Sequence, residues 1–216
     1  MSRPLHYPKI PNSKDFPLGE CIAFEKYDGT NVHFRWEREL GWYAFGTRRD
    51  EFPFDAAGSN EFIEHHPELK DVANVFSLSL ATLVNAELDQ ILRKREFSEC
   101  TIFAEFLGEE SFAGKHKCED PKRLVIFDVE LDGVILSPFE FVDLFAQLPI
   151  ARIVYRGKFS GAFADDVRHG KYNVSEGVIC NALSREGQVV MAKIKTNRYL
   201  DRLRQAFAQD WEQYWE

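Results

Sequence analysis

The residues best suited to chemistry sit in short strand-like runs, usually one charge to a run. The first is Lys26, in AFEKYDGTNVHF (23–34). Period-2 alternation sends Ala23, Glu25 and Tyr27 to one side of a strand, and Phe24, Lys26 and Asp28 to the other. An ammonium beside Phe24 and just before Gly29 is either a lysine reaching out to water or an amine held in a site that uses it. Taken alone, K-x-D-G is weak. A hairpin turning at Asp28-Gly29, with Lys26 on the surface, is the better reading of that string.

The rest of the chain repeats the pattern. VSEGVIC (174–180) places Glu176 before a glycine in an apolar run, and FAEFLG (103–108) embeds Glu105 between aromatics. VVMAKIKT (189–196) puts Lys193 and Lys195 on one face, and FGTRRD (45–50) ends with Arg48 and Arg49. Isolated charges avoid burial unless paired. Gathered together, they would line a polar cleft, with lysines and arginines for phosphates and glutamates for a metal and for sugar hydroxyls. Two other clusters carry less. Lys115-His116-Lys117 could touch phosphates but reads as a solvated loop. His65 and His66, adjacent on a helix, do not face one site.

These runs need a scaffold. Residues 1–19 read as an extended lead-in. Strands are predicted over 20–36 (broken by the Asp28-Gly29 turn), 40–48, 101–108, 123–136, 150–158, 174–181 and 188–195. Between 60 and 97, Phe62, Leu69, Val72, Val75, Phe76, Leu80, Leu83, Val84, Leu88, Ile91 and Leu92 recur at helical spacing, and Pro67 splits this into a short helix and a long one. Ser137-Pro138 opens a short helix. The chain ends in an amphipathic helix with Leu200, Leu203, Phe207, Trp211 and Tyr214 on one face. Strands and helices in blocks indicate α+β with a mostly antiparallel sheet.

The totals narrow the class. The 216 residues suit one large domain, and 44% hydrophobic with 29% charged residues describes a globular chain. No apolar run reaches membrane-span length, so no membrane partner is expected. The N-terminus has no apolar h-region. Cys21, Cys100, Cys118 and Cys180 form no C-x-x-C pair, which argues against a zinc site and for reduced thiols, so the expected location is cytoplasmic. A net charge of −8 counts against strong non-specific nucleic-acid binding but leaves room for a local basic groove.

In order, K-x-D-G, an Arg-bearing strand, F-x-E-F-x-G, V-I-F-D-V, S-E-G-V-I and K-I-K resemble motifs I, Ia, III, IIIa, IV and V of the covalent nucleotidyltransferase superfamily. That superfamily holds ATP-dependent DNA and RNA ligases and mRNA capping enzymes. E-K-Y-D-G-T-N, the helical segment before motif III, and E-G-V-I followed closely by K-I-K look most like the RNA ligase 2-type branch. The match runs from Lys26 to Lys195. It implies the nucleotidyltransferase fold, an ATP-grasp-like ligase architecture of antiparallel sheets flanked by helices, with a nucleotide cleft between the sheets.

By this resemblance Lys26 is the nucleophile that attacks the α-phosphate of ATP to form lysyl-AMP. Lys193 and Lys195 would hold the phosphate and lower the Lys26 pKa. Gly29 would admit the nucleotide backbone-close. Glu25 would face the adenine, Arg48 (rather than Arg49, by alternation) the phosphate or the second substrate, and Glu105 the ribose. Leu124 occupies the motif IIIa position that often stacks on the purine in related ligases, with Phe127 on the other face. Asn31 would serve the end-joining steps with the second substrate, and Glu176 would hold Mg²⁺ (or Mn²⁺). AMP would pass to a 5′-phosphate RNA end, and a 3′-hydroxyl would displace it.

Residues 196–216 leave no room for an OB domain or a full C-terminal helical domain. The chain reads as a single adenylyltransferase module over 1–216, and a partner protein could supply RNA binding. Alternatives are a DNA ligase-like or GTP-using nucleotidyltransferase, or a non-catalytic module that binds a nucleotide or RNA end.

Overall fold

The computed structural model describes residues 6–108, 111–113 and 116–207. Lys115, Trp211 and Tyr214 lie outside the described residues. Two antiparallel sheets carry the fold, flanked by helices, in an α+β arrangement without a closed barrel.

The smaller sheet has the order β10-β9-β1-β8, from β1 (Glu20–Lys26), β8 (Ile153–Lys158), β9 (Gly177–Leu183) and β10 (Val189–Lys195). The larger has the order β4-β3-β2-β5-β6-β7. Its strands are β2 (Thr30–Glu37), β3 (Gly41–Thr47), β4 (Glu51–Pro53), β5 (Glu99–Leu107), β6 (Arg123–Leu131) and β7 (Val134–Ile135). The helices are α1 (Ala56–His65), α2 (Val72–Ser79), α3 (Ala81–Leu92), α4 (Pro138–Phe145), α5 (Gly161–Arg168) and α6 (Asn197–Phe207).

Alternation assigns the faces. One face of β1 sends Cys21 and Ala23 into a small core with Val178 and Cys180 of β9 and Phe163 and Val167 of α5. Its other face sends Ile22 and Phe24 into the main core. The main core fills the helix-facing side of the larger sheet, where Val32, Phe34, Phe45, Ile102 and Ile126 meet Phe62, Phe76 and Leu88. Phe34 stacks on Phe76 at 3.8 Å between centroids, tying the sheet to α2. The opposite side of the larger sheet, carrying Asn31, His33 and Glu105, looks toward the cleft-facing side of the smaller one.

Several sequence expectations are corrected. Asp28-Gly29 is not a hairpin turn: β1 and β2 belong to different sheets, so the chain changes sheet there. Gly29 fits because a Cβ would come within 2.4 Å of the Phe106 carbonyl oxygen. The long helix after Pro67 is broken at Leu80 into α2 and α3, bent by 53°. Ser77 and Ser79 donate back to the carbonyls of Ala73 and Val75, a bond that loosens and bends helices. The run 123–136 is a hairpin, β6-β7, turning at Asp132 (φ 48°) and Gly133 (φ 78°), the left-handed pair a type I′ turn needs. Helix α5, capped by Ser160, was not anticipated, because Gly161 opens it and its apolar positions are few.

No single helix among the described residues is long and apolar enough to cross a membrane. The bent pair Pro67–Ser79 and Ala81–Leu92 passes on length and composition, but its apolar residues Leu69, Val72, Phe76, Val84 and Leu88 are spent in the main core.

Candidate active site

Strand register builds the site. Lys26 of β1, Gly177 of β9 and Lys195 of β10 form one cross-strand row. Phe24, Ile179 and Lys193 form the next, and Ile22, Asn181 and Met191 the third. All share the face toward the larger sheet. The central member of the first row must be glycine, since a Cβ on Gly177 would lie 2.0 Å from the Ile194 carbonyl oxygen.

Glu176 enters between the two lysines. Lys26 Nζ donates to its Oε2 at 2.8 Å, and Lys195 Nζ lies 3.3 Å from its Oε1. The Glu176 side chain is only 2% exposed, so it is a buried carboxylate satisfied by two ammoniums. Lys195 also sits 5.0 Å over the ring of Tyr199, whose hydroxyl donates to Asp28 Oδ1 at 3.2 Å. The other Asp28 oxygen accepts from the Ala113 amide. Asp28 thus ties the sheet crossing to α6 and to the loop after β5.

A cavity of about 260 Å³ opens above these rows. Of the predicted residues, Lys26, Lys193, Lys195, Glu25, Gly29, Asn31, Arg48 and Glu105 all line it. Glu176 is held just behind Lys26. Arg48 and not Arg49 borders the cavity, with its Nε donating to the Tyr7 carbonyl at 3.0 Å. Glu105 accepts from the Gly29 amide at 3.0 Å. Asn31 stands opposite Glu105 in register, and its Oδ1 is buried with no partner among the described residues.

Three placements differ from the sequence reading. Leu124 does not reach the cavity; it is buried in the main core on the helix side of β6. Phe127 lines the cavity instead. The cause is a bulge: Phe103 pairs with Asp128 and Ala104 with Ile126, so Phe127 is the extra residue, and Phe127 and Asp128 both face the cleft. Glu25 borders the cavity, but its carboxylate accepts from Arg152 Nε at 2.8 Å, and Arg152 also reaches the carbonyls of Tyr172 and Asn173.

The third concerns charge. Burial pulls the Lys26 pKa down, but the charge and hydrogen bond of Glu176, with Glu105, outweigh it, so the amine is held above its ordinary value. Nearby lysines do not dominate it. Lys195 is the lysine whose pKa is lowered, by burial first and then opposed by Glu176. Burial pushes Glu105 up to about 7, with Lys26 pulling the other way.

Two cavity residues escaped the sequence reading. Tyr7, in the lead-in, is 3% exposed, packs edge-on to Phe127 and donates to Asp128. No periodicity marks a lone tyrosine between prolines. Asp128, an acid in the apolar run VIFDV, gave the same signal as Glu105. Burial pushes it up to about 7, against the Tyr7 hydrogen bond.

Comparison with known proteins follows the same lines. Among solved structures the fold is similar to an archaeal ATP-dependent RNA ligase (TM-score 0.61, 17% identity, covering 94% of this chain and 52% of that one). It is also similar to a putative ATP-dependent DNA ligase from Aquifex aeolicus (TM-score 0.59, 19% identity, 96% and 56%). A mutant Naegleria gruberi RNA ligase with AMP and Mn is a third (TM-score 0.62, 13% identity, 94% and 59%). This chain spans just over half the length of each. Comparison with curated protein sequences gives no match. The sequence model of the family described as RNA ligase matches residues 19–195, a span that runs from just before β1 to the last residue of β10 and takes in the paired lysines and Glu176. The chain belongs to the RNA ligase family.

Proposed function

We propose that this chain is the adenylyltransferase module of an ATP-dependent RNA ligase of the RNA ligase 2 type. The observation that carries the reading is the row Lys26–Gly177–Lys195, with Glu176 between its lysines, opening on a cavity that also presents Lys193, Arg48 and Glu105. Lys26 Nζ forms the bond to the α-phosphorus of ATP, the bond to the pyrophosphate oxygen breaks, and a lysyl-AMP phosphoramidate remains. The attacking amine must be neutral. In the resting site Glu176 keeps it charged, so losing that partner is part of activation. Lys193, Lys195 and Arg48 hold the phosphate and meet the charge that develops on it. Glu105 serves the ribose, and Phe127 offers the base a face.

The site's donors fit a hard divalent cation: Glu176, Glu105 and the Asn31 Oδ1, unpartnered among the described residues, are all oxygen ligands. Glu176 would hold Mg²⁺ or Mn²⁺, which would supply positive charge to offset that of the phosphate. In the later steps AMP passes to an RNA 5′-phosphate, and a 3′-hydroxyl displaces it, with Asn31 orienting the ends.

The acceptor is tested with nicked duplexes carrying a 5′-phosphate on RNA or on DNA, given ATP and Mg²⁺. Adenylylated RNA ends followed by sealed RNA are expected. Sealing of the DNA nick alone would overturn the RNA assignment.

A further inference from the structure

A second cross-strand row repeats the device of the first. His33 of β2 pairs with Gly46 of β3, and Gly46 pairs with Glu51 of β4. Two functional side chains again flank a glycine and meet above it: His33 Nε2 lies 3.2 Å from Glu51 Oε2. A third group arrives from the N-terminal segment. The His6 amide donates to the Arg48 carbonyl at 3.0 Å, the His6 ring stacks on His33 at 4.5 Å, and its Nδ1 lies 3.9 Å from the same Glu51 oxygen. One ligand atom from each of the three residues falls within 4.8 Å of the others.

We propose that His6, His33 and Glu51 form a binding site for a divalent transition metal of the Zn²⁺ type, separate from the Glu176 site and assigned by neither the family nor the nucleotide chemistry. The spacing suits it. Ligand atoms about 2.0–2.1 Å from a tetrahedral ion stand roughly 3.4 Å apart; the 3.2 Å and 3.9 Å separations to Glu51 Oε2 bracket that value, and all three ligand atoms lie within 4.8 Å of one another. The donor set suits it as well. Two imidazoles and one carboxylate favour a borderline metal over Mg²⁺, and they leave one position for water. His33 is 1% exposed, its Nε2 faces Glu51, and its Nδ1 has no partner among the described residues.

The competitor is Arg35. Its guanidinium lies 3.4–3.5 Å from the Glu51 oxygens, but the same group also reaches Glu99 at 3.4 Å, a partner to which it can turn. Asp50 is engaged with His66 and Thr47 and does not complete the ligand set. Occupancy has a consequence for the catalytic cavity. His6 adjoins Tyr7, which walls the cavity, donates to Asp128 and offers its carbonyl to Arg48. A metal at His6 therefore fastens the N-terminal segment across the sheet and holds that wall in place.

The test is calorimetric titration of chelator-stripped full-length chain with Zn²⁺ in excess Mg²⁺, alongside Glu176→Gln, His33→Gln and His6→Ala. His6 lies outside both cores, so His6→Ala leaves the fold intact. One equivalent of Zn²⁺ is expected in the unaltered chain and in Glu176→Gln, with loss of that equivalent in His6→Ala and His33→Gln. A Zn²⁺-dependent rise in thermal midpoint should vanish in His6→Ala. No Zn²⁺ uptake by the unaltered chain, or uptake unchanged in His6→Ala, would overturn the site.

Discussion

Lys26 and Glu176 are 150 residues apart in the chain and 2.8 Å apart in the structure, and the pairing of β1 with β9 sets that contact. The bond makes the resting Lys26 a protected ammonium. Its proton is held by a carboxylate that is itself shared with Lys195. Reactivity at Lys26 then depends on what happens to Glu176.

Glu176→Gln should lower the Lys26 pKa. With the carboxylate gone, burial is the largest remaining influence, and it disfavours the charged amine. NMR titration of the lysine ε-carbons, assigned with Lys26→Ala, reads this directly. The variant should still lose adenylylation, by on the order of 10²-fold or more, because an electrostatic group is removed from the reacting centre. An unchanged or raised Lys26 pKa would show that Glu176 does not hold the proton.

Leu124 and Phe127 should separate cleanly. Leu124→Ala opens a cavity in the main core and should cost about 2–5 kcal/mol in chemical denaturation. Its KM for ATP should stay near that of the unaltered chain. Phe127→Leu keeps most of the apolar volume, so stability should change little while nucleotide affinity falls several-fold. The opposite pattern would return Leu124 to the nucleotide and place Phe127 in the core.

Asp128 should make stability depend on pH. Its folded pKa is raised to about 7, above the unfolded value near 4. Its contribution is therefore fully present below about pH 4 and is lost as pH rises through about 7. Glu51 works in a different window. The His33 hydrogen bond and Arg35 pull it down to about 2 against burial, so its contribution is lost only as pH falls from about 4.5 toward 2. Thermal midpoints between pH 5 and pH 8 should fall for the unaltered chain and fall less steeply in Asp128→Asn, where Glu105, also pushed up to about 7, still titrates. Equal slopes in both would remove Asp128 as the source.

Much of the cavity was legible because its signal is local. An isolated charge in an apolar strand is costly unless it is used, and Lys26, Glu105, Glu176, Lys193 and Lys195 all announced themselves that way. Their partnership was less legible. That Glu176 meets both Lys26 and Lys195 follows from strand order and register, which no local pattern carries. Leu124 takes its expected place from the motif IIIa resemblance, with Phe127 on the other face; the bulge at Phe127, set by its pairing with β5, brings Phe127 to the cleft instead. Asp28-Gly29 looked like a hairpin because sheet crossings and hairpins use the same turn residues. Tyr7 and His6 had no periodic context, and only the folded segment brings them to Asp128 and Glu51.

Intact mass of the full-length chain after incubation with ATP and Mg²⁺, beside Lys26→Ala, tests the central claim most directly. The expected result is a gain of one AMP that pyrophosphate reverses and that Lys26→Ala lacks. Folded protein, free of AMP at the start, that gains no mass with ATP, or a gain that persists in Lys26→Ala, would contradict Lys26 as the site of covalent nucleotidyl transfer.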